Sequence, residues 1–260
     1  SILKPEKLYT IFFDMGPDYD ELDYAKIIAK HIKKDLTIVT AKPEDFKRTQ
    51  KKIAYHLDTP CTWTSFSLWR LMEESSKDVK VVLSGDGADE IFAGYHRYLL
   101  PYHDQQIFNI PSLKKYNYLL NNYYGDPQDR YLRLINRNSD KFDEKNNSKL
   151  LNMINNFFEK TNNVVNAMTI TDFYSTMQVL LQMNDRISMA FSMENRAPFL
   201  DHRIIEFGFN LRQNDKIRDG KTKWLLKKVA ERFVPKEIYS RIDKRGFSAP
   251  LNKWFGWDKL

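Results

Sequence analysis

The chain has 260 residues, with 41 Lys and Arg against 34 Asp and Glu for a net charge of +7, enough length for one large domain or two smaller ones. A single cysteine, Cys61, excludes an internal disulfide and a four-cysteine metal site and favours a reducing compartment. No apolar run is long enough to span a membrane and no signal peptide opens the chain, so a cytoplasmic protein without membrane partners is expected.

The basic excess admits nucleic acid or an anionic small molecule as partner. It is dispersed into short clusters such as Lys33-Lys34, Lys51-Lys52 and Lys227-Lys228, which read as solvated helix faces, so nucleic-acid binding is not expected.

In chain order, Leu8 to Phe13 reads as a strand, Glu21 to Lys33 as an amphipathic helix and Leu36 to Thr40 as a second strand. Pro43, followed by Glu44 and Asp45, opens the next helix. After a break at His56-Leu-Asp-Thr-Pro60, another helix is expected from Ser65 to Glu74. Val79 to Leu83 then reads as a strand buried on both faces. Strands spaced by helices argue for a parallel sheet with crossover helices, so residues 1–100 are expected to form an α/β region.

At the end of that third strand, Ser84-Gly-Asp-Gly87 turns the chain, and helical spacing starts at Ala88. Ile91, Phe92 and Tyr95 share an apolar face, while Asp89 and Glu90 occupy the first turn. Gly85 and Gly87 allow backbone conformations closed to residues with a Cβ and bring amides within reach of an anion such as phosphate. Asp86, Asp89 and Glu90 would repel that phosphate unless a cation stood between, and hard oxygen ligands point to magnesium. The bland reading is a tight turn whose acids favour the helix dipole. Three acids and two glycines within six residues, directly after a strand, favour the ligand site.

Beyond Tyr95, helices, aromatics and Asn-rich connections take over. Pro101, Pro111 and Pro127 punctuate the chain, and Lys141 to Lys149 reads as a polar loop. The run Phe173 to Phe191 carries Val179, Leu180, Met183 and Ile187 as a core face, and its methionines read as packing. Asn184 to His202 is dense in Asp185, Arg186, Glu194, Arg196 and Asp201; structural ion pairs around a corner at Pro198 and a substrate-binding role weigh equally there. Lys244 to Pro250 is a basic, glycine-containing loop whose lysine is either solvated or reaches a phosphate site.

Together these clusters resemble the synthetase domain of the glutamine-dependent asparagine synthetase family, within the ATP pyrophosphatases. Leu83 to Tyr95 matches the family's Leu-Ser-Gly-(Asp/Glu)-Gly-X-Asp-Glu-X-Phe-X-Gly-Tyr without a gap. Asp185 to Asp201 matches its Asp-Arg-X-Ser-Met-Ala and Glu-X-Arg-X-Pro-Phe-Leu-Asp elements, and Lys244 to Pro250 its Lys-X-Gly-Phe-X-X-Pro element.

The resemblance implies an α/β fold with a parallel twisted sheet and flanking helices, the Rossmann-like ATP pyrophosphatase fold. Residues 1–100 would be its nucleotide-binding region, lacking the first strand and phosphate loop, and the mainly helical 101–260 would complete the domain. It implies ATP and magnesium as cofactors. Aspartate would be adenylated with release of pyrophosphate, and ammonia would displace AMP to give asparagine. By family likeness Ser84 and Gly85 contact the nucleotide with Gly87 beside them, Asp86 supports the acyl-adenylate, Asp89 holds magnesium and pyrophosphate, and Lys244 neutralises charge on the phosphate. Ile11 falls at an adenine contact, with Phe12 where the family usually has glycine.

The sequence departs from the family in two places. Its Ser-Gly-Gly-X-Asp-Ser motif and its glutaminase half with an N-terminal cysteine do not occur here. A fragment, a processed product or one subunit of a split enzyme is therefore expected, with a glutaminase domain or subunit as partner and homo-oligomers admitted. The same fold acting on another acyl substrate, in β-lactam, lasso-peptide or sugar-acid amidation, and a non-catalytic scaffold derived from it, are the alternatives.

Overall fold

The computed structural model describes residues 5–16, 19, 21–99, 131–132, 148–161, 163–242 and 247–256. They are mostly helical, with two short parallel sheets, and divide into two compact units. The first comprises residues 1–84, 180–196 and 231–260, and the second residues 85–179 and 197–230.

In the first unit, β1 (Leu8–Phe12) pairs in parallel with β2 (Leu36–Thr40), Leu8 opposite Leu36 and Phe12 opposite Thr40. A parallel pair needs a crossover, and α1 (Leu22–Ile32) supplies it. Lys33 ends α1 in the left-handed conformation, its N–H reaching back to the Ala29 and Lys30 carbonyls.

Helix α2 (Pro43–Leu57) opens on proline, where a missing N–H costs nothing, and Asp45 accepts from the Lys42 amide at 3.0 Å. Thr62 and Ser65 cap α3 (Trp63–Ser75) reciprocally. The α2 and α3 periodicities bury Phe46, Ile53, Phe66, Trp69 and Met72 against Ile11 and Phe13. Truncating a fully buried ring such as Phe66 to alanine costs about 3–5 kcal/mol.

The third strand, β3 (Val81–Leu83), corrects one expectation. Val82 and the preceding Val79 pack on the core, but Val81 and Leu83 are 41% and 66% exposed. The strand is three residues long and, among the described residues, pairs only with β4 (Glu194–Arg196), so a single face meets the core. β4 itself, in a segment read as a corner between helices, was not anticipated. Pro198 does open a 3-10 turn, Pro198–Leu200.

The second unit holds α4 (Ala88–Ile91), a 3-10 turn at His96–Tyr98, α5 (Ser148–Lys160), α6 (Val164–Tyr174) and α8 (His202–Phe209). Its core gathers Ala93, Tyr98, Leu99, Tyr131, Val165, Met168 and Ile217. Gly208 of α8 lies so close to α4 that a Cβ would run into the Ile91 side chain. Helix α7 (Thr176–Ala190) runs through the division of the chain at residues 179 and 180.

Val179, expected on the α7 core face, is 66% exposed, whereas Met177, Asn184, Ile187 and Ser188 of that helix are buried. Of the methionines in this run, Met177 and Met193 are buried and Met189 is exposed. Ser148 and Lys149, expected in a loop, begin α5. Pro101, Pro111, Pro127 and the rest of that loop lie outside the described residues. No helix among the described residues is long and apolar enough to cross a membrane.

Candidate functional site

The Ser84 amide donates to the Arg196 carbonyl at 2.9 Å, carrying the β3–β4 ladder one residue past Leu83. At Gly85 the chain passes from the first unit into the second. Only one of the two glycines is conformationally required. Gly87 sits at φ 89° and a Cβ there would strike Leu200, whereas Gly85 has no positive φ and an added Cβ would meet nothing within 4 Å. Gly85 is exposed, so small size there leaves the backbone open to an approaching ligand instead of relieving strain.

Gly87 caps α4, which is shorter than the spacing predicts. The helix ends at Ile91, Ala93 takes φ 55°, and the Gly94 amide donates to the Asp89 carbonyl at 2.8 Å. Ile91 and Phe92 are buried as expected, but the turn, not a continued helix, carries Tyr95. Gly94 is demanded by packing: a Cβ would collide with Asp89 Oδ1 and with Lys223 Cε.

The three acids of this turn occupy different environments. Asp86 is half-buried. Asp89 Oδ1 lies 2.9 Å from Lys223 Nζ, with both side chains about a fifth to a quarter exposed (20% and 24%). Glu90 is 1% exposed and accepts from the Tyr95 hydroxyl at 2.5 Å. Burial, reinforced by the Glu90 charge, pushes the Tyr95 phenol far up, so it stays a donor.

A buried carboxylate lies behind Tyr95. The Arg97 guanidinium stacks 4.1 Å from the Tyr95 ring centre, and its Nε donates to Asp172 Oδ2 at 2.9 Å. Asp172, 1% exposed, also accepts from Tyr98 at 2.5 Å, Tyr131 at 2.8 Å and Thr176 at 3.2 Å. Burial pushes both phenols up, with the Asp172 charge adding to it. Three hydroxyls and a guanidinium thus satisfy one charge. Sequence reasoning passed over this group; an aspartate inside the apolar run Val164–Tyr174 was the available signal.

Other expected site residues are placed as follows. Ile11 is packed in the first unit's core, 6% exposed. Lys244 lies outside the described residues. After it, Phe247 is exposed, Ser248 approaches Thr64 at 3.5 Å, and Pro250 caps a short helix, Leu251–Phe255. The acids and arginines of Asn184 to His202 form ion pairs: Arg186 with Asp58 at 2.7 Å, Arg196 with Glu194 at 2.8 Å, and Arg203 with Asp201 at 2.8 Å. Asp201 also caps α8 by accepting from the Arg203 amide, and these bonds hold its carboxyl well below the usual range. Among the described residues no three His, Cys, Asp or Glu side chains converge into a metal cluster.

The asparagine synthase family profile matches residues 3–260. Asparagine synthetase [glutamine-hydrolyzing] 1 of Bacillus subtilis strain 168 is 30% identical over 278 residues, covering 95% of this chain and 43% of that protein. A putative asparagine synthetase [glutamine-hydrolyzing] of Mycobacterium tuberculosis H37Rv is 29% identical over 275 residues, 91% of this chain and 40% of that one. Amidase chyE of Penicillium rubens is 22% identical over 298 residues, 96% of this chain and 44% of its own. The chain thus spans less than half the length of each of these relatives. With the match running through the acidic turn, the ion-paired segment and the basic loop alike, the chain belongs to the asparagine synthase family.

Proposed function

We propose that this chain is an ATP-dependent amide-forming synthetase domain that adenylates the side-chain carboxylate of aspartate and transfers ammonia to it. The observation that carries this reading is the turn from Ser84 to Glu90, with Gly87 locked over Leu200 and its three acids in three distinct environments, in a chain of the asparagine synthase family. In the first step a carboxylate oxygen bonds to the α-phosphorus of ATP and the bond to the leaving pyrophosphate breaks. In the second, the ammonia nitrogen bonds to the acyl carbon, AMP departs with the acyl C–O bond electrons, and a proton is lost from nitrogen.

A carboxylate is a poor electrophile, and AMP as leaving group is what makes amide formation feasible. Ser84, Gly85 and Gly87 would offer backbone to the nucleotide, and Asp86 would support the acyl-adenylate. Ile11 would contact adenine through its backbone, since its side chain is in the core. Lys244 would take up charge developing on the phosphate.

The donor set fits magnesium. That ion is commonly held by one or two carboxylates, with phosphate oxygens and water completing its shell, and needs no ready-made protein cage. Asp89 already stabilises a cation at 2.9 Å and is the carboxylate that would hold the metal. Bound there, magnesium would supply neutralisation of the pyrophosphate charge.

The two parallel sheets would belong to one Rossmann-like twisted sheet, residues 1–100 serving as the nucleotide-binding region and 101–260 completing the domain. The glutamine-hydrolyzing relatives support a glutaminase domain or subunit as the ammonia source, and the single free Cys61 supports a cytoplasmic setting. The amidase relative supports a second reading, in which the same chemistry acts on another carboxylic acid.

Pyrophosphate release by the full-length protein from ATP, aspartate and ammonia tests the proposal. Asp86→Asn and Lys244→Ala should each abolish it, and unchanged release in both variants would overturn the site assignment. Release that depends on a different acid would move the weight to the second reading. No heat on titrating the full-length protein with ATP and magnesium would leave only a non-catalytic scaffold.

A further inference from the structure

The acidic turn carries its own cation. Lys223 stands just before the helix Trp224–Ala230 in the left-handed conformation, φ 52°, which is uncommon and costly for a residue with a side chain. Its surroundings are visible. Arg218 and Lys221 exchange backbone hydrogen bonds at 3.1 and 2.8 Å around Asp219 and Gly220, both also at positive φ. The Arg218 guanidinium carbon lies 3.7 Å from the Trp224 ring centre and the group is tied to Asp215 at 3.4 Å.

This small hairpin delivers the Lys223 ammonium to Asp89, and its Cε passes over Gly94 where any side chain would block it. Two costly features, a strained lysine and an obligatory glycine, therefore serve one contact.

We propose that Lys223 is a positioning residue that acts as the resident counter-ion of Asp89, which a divalent cation must displace before it can bind there. The inference rests on the reading of Asp89 as the metal-holding carboxylate. An ammonium and a dication cannot share Oδ1 without strong repulsion at that separation. Metal binding therefore frees the ammonium, and a freed ammonium on a side chain three-quarters buried needs an anion. A polyphosphate arriving with its metal supplies one, whereas a bare metal ion does not. The pair thus biases the turn against metal alone and toward the metal–polyphosphate complex.

Manganese binding to the full-length protein, followed as loss of the free-ion EPR signal without nucleotide, tests this directly. Lys223→Met keeps a stem over Gly94 and removes the charge, and should tighten manganese binding by about five- to ten-fold. Lys223→Arg keeps a cation on Asp89 and should bind manganese no more tightly than wild type. Adding Asp89→Asn to Lys223→Met should erase the gain.

Unchanged or weaker binding in Lys223→Met overturns the proposal. Were that variant not to fold, binding by Lys223→Arg tighter than wild type would overturn it and equal or weaker binding would support it. If the gain in Lys223→Met survives Asp89→Asn, the metal sits elsewhere, and it is the reading of Asp89 that fails.

Discussion

The Tyr95 hydroxyl donates to Glu90 Oε1 at 2.5 Å, across a helix end that Ala93 closes in the left-handed conformation. The bond explains how an acid next to Asp89, the carboxylate proposed to hold the metal, can be 1% exposed. It also divides the labour within the turn, since Glu90 is committed inward to the fold.

Tyr95→Phe should therefore act on stability. It deletes one donor to a buried carboxylate while keeping the ring against Arg97 and Tyr98. The expected loss is about 1–3 kcal/mol in urea unfolding. A variant as stable as wild type would show that Glu90 has another adequate partner.

Asp172 should be more sensitive. Asp172→Ala leaves the Arg97 guanidinium in the interior without its carboxylate, and the expected cost is about 3–5 kcal/mol. Asp172→Asn keeps the shape and an acceptor for the tyrosine hydroxyls but not the charge, so it should fall between wild type and alanine. Equal stability of the two variants would mean that the ion pair, rather than the hydroxyl network, carries the whole effect.

Gly87→Ala separates two costs that coincide at one residue. Positive φ strains any side chain, by about 1–3 kcal/mol, and Leu200 blocks the Cβ. Leu200→Ala in the same chain should recover the steric part only. The double-mutant cycle then reads the coupling directly, and additivity within about 0.5 kcal/mol would exclude a clash.

Much of this was legible in the sequence because it is local. β2 over Leu36–Thr40, the proline start of α2, and the buried Ile91 and Phe92 after the glycine turn follow from periodicity and capping chemistry. What was not legible depends on partners distant in the chain. Lys223 lies 134 positions after Asp89, by subtraction of their residue numbers, and looks like any solvated lysine until folding puts it there. The same holds for the four donors on Asp172 and for the early end of α4, which Gly94 and its packing against Lys223 require. Apolar runs also overstate burial, since Val81 and Leu83 face outward on a strand with one described neighbour.

Lys216 gives a pH-dependent signature. It is fully buried, with Nζ 3.5 Å from Thr169 Oγ1 and 5.2 Å from the Phe209 ring centre. Burial pushes its pKa down to about 7. The unfolded chain, with an ordinary lysine pKa of about 10.4, binds this proton more strongly, so between these two values stability rises with pH. The slope for one such group is about 1.4 kcal/mol per pH unit, or about 2 kcal/mol between about pH 7.5 and about pH 9. Lys216→Met removes the titration and keeps most of the volume. The stability difference, variant minus wild type, should therefore shrink by about that amount over the same interval, read from urea unfolding at the two pH values. A difference independent of pH would show that the Lys216 ammonium stays charged in the folded protein throughout this range.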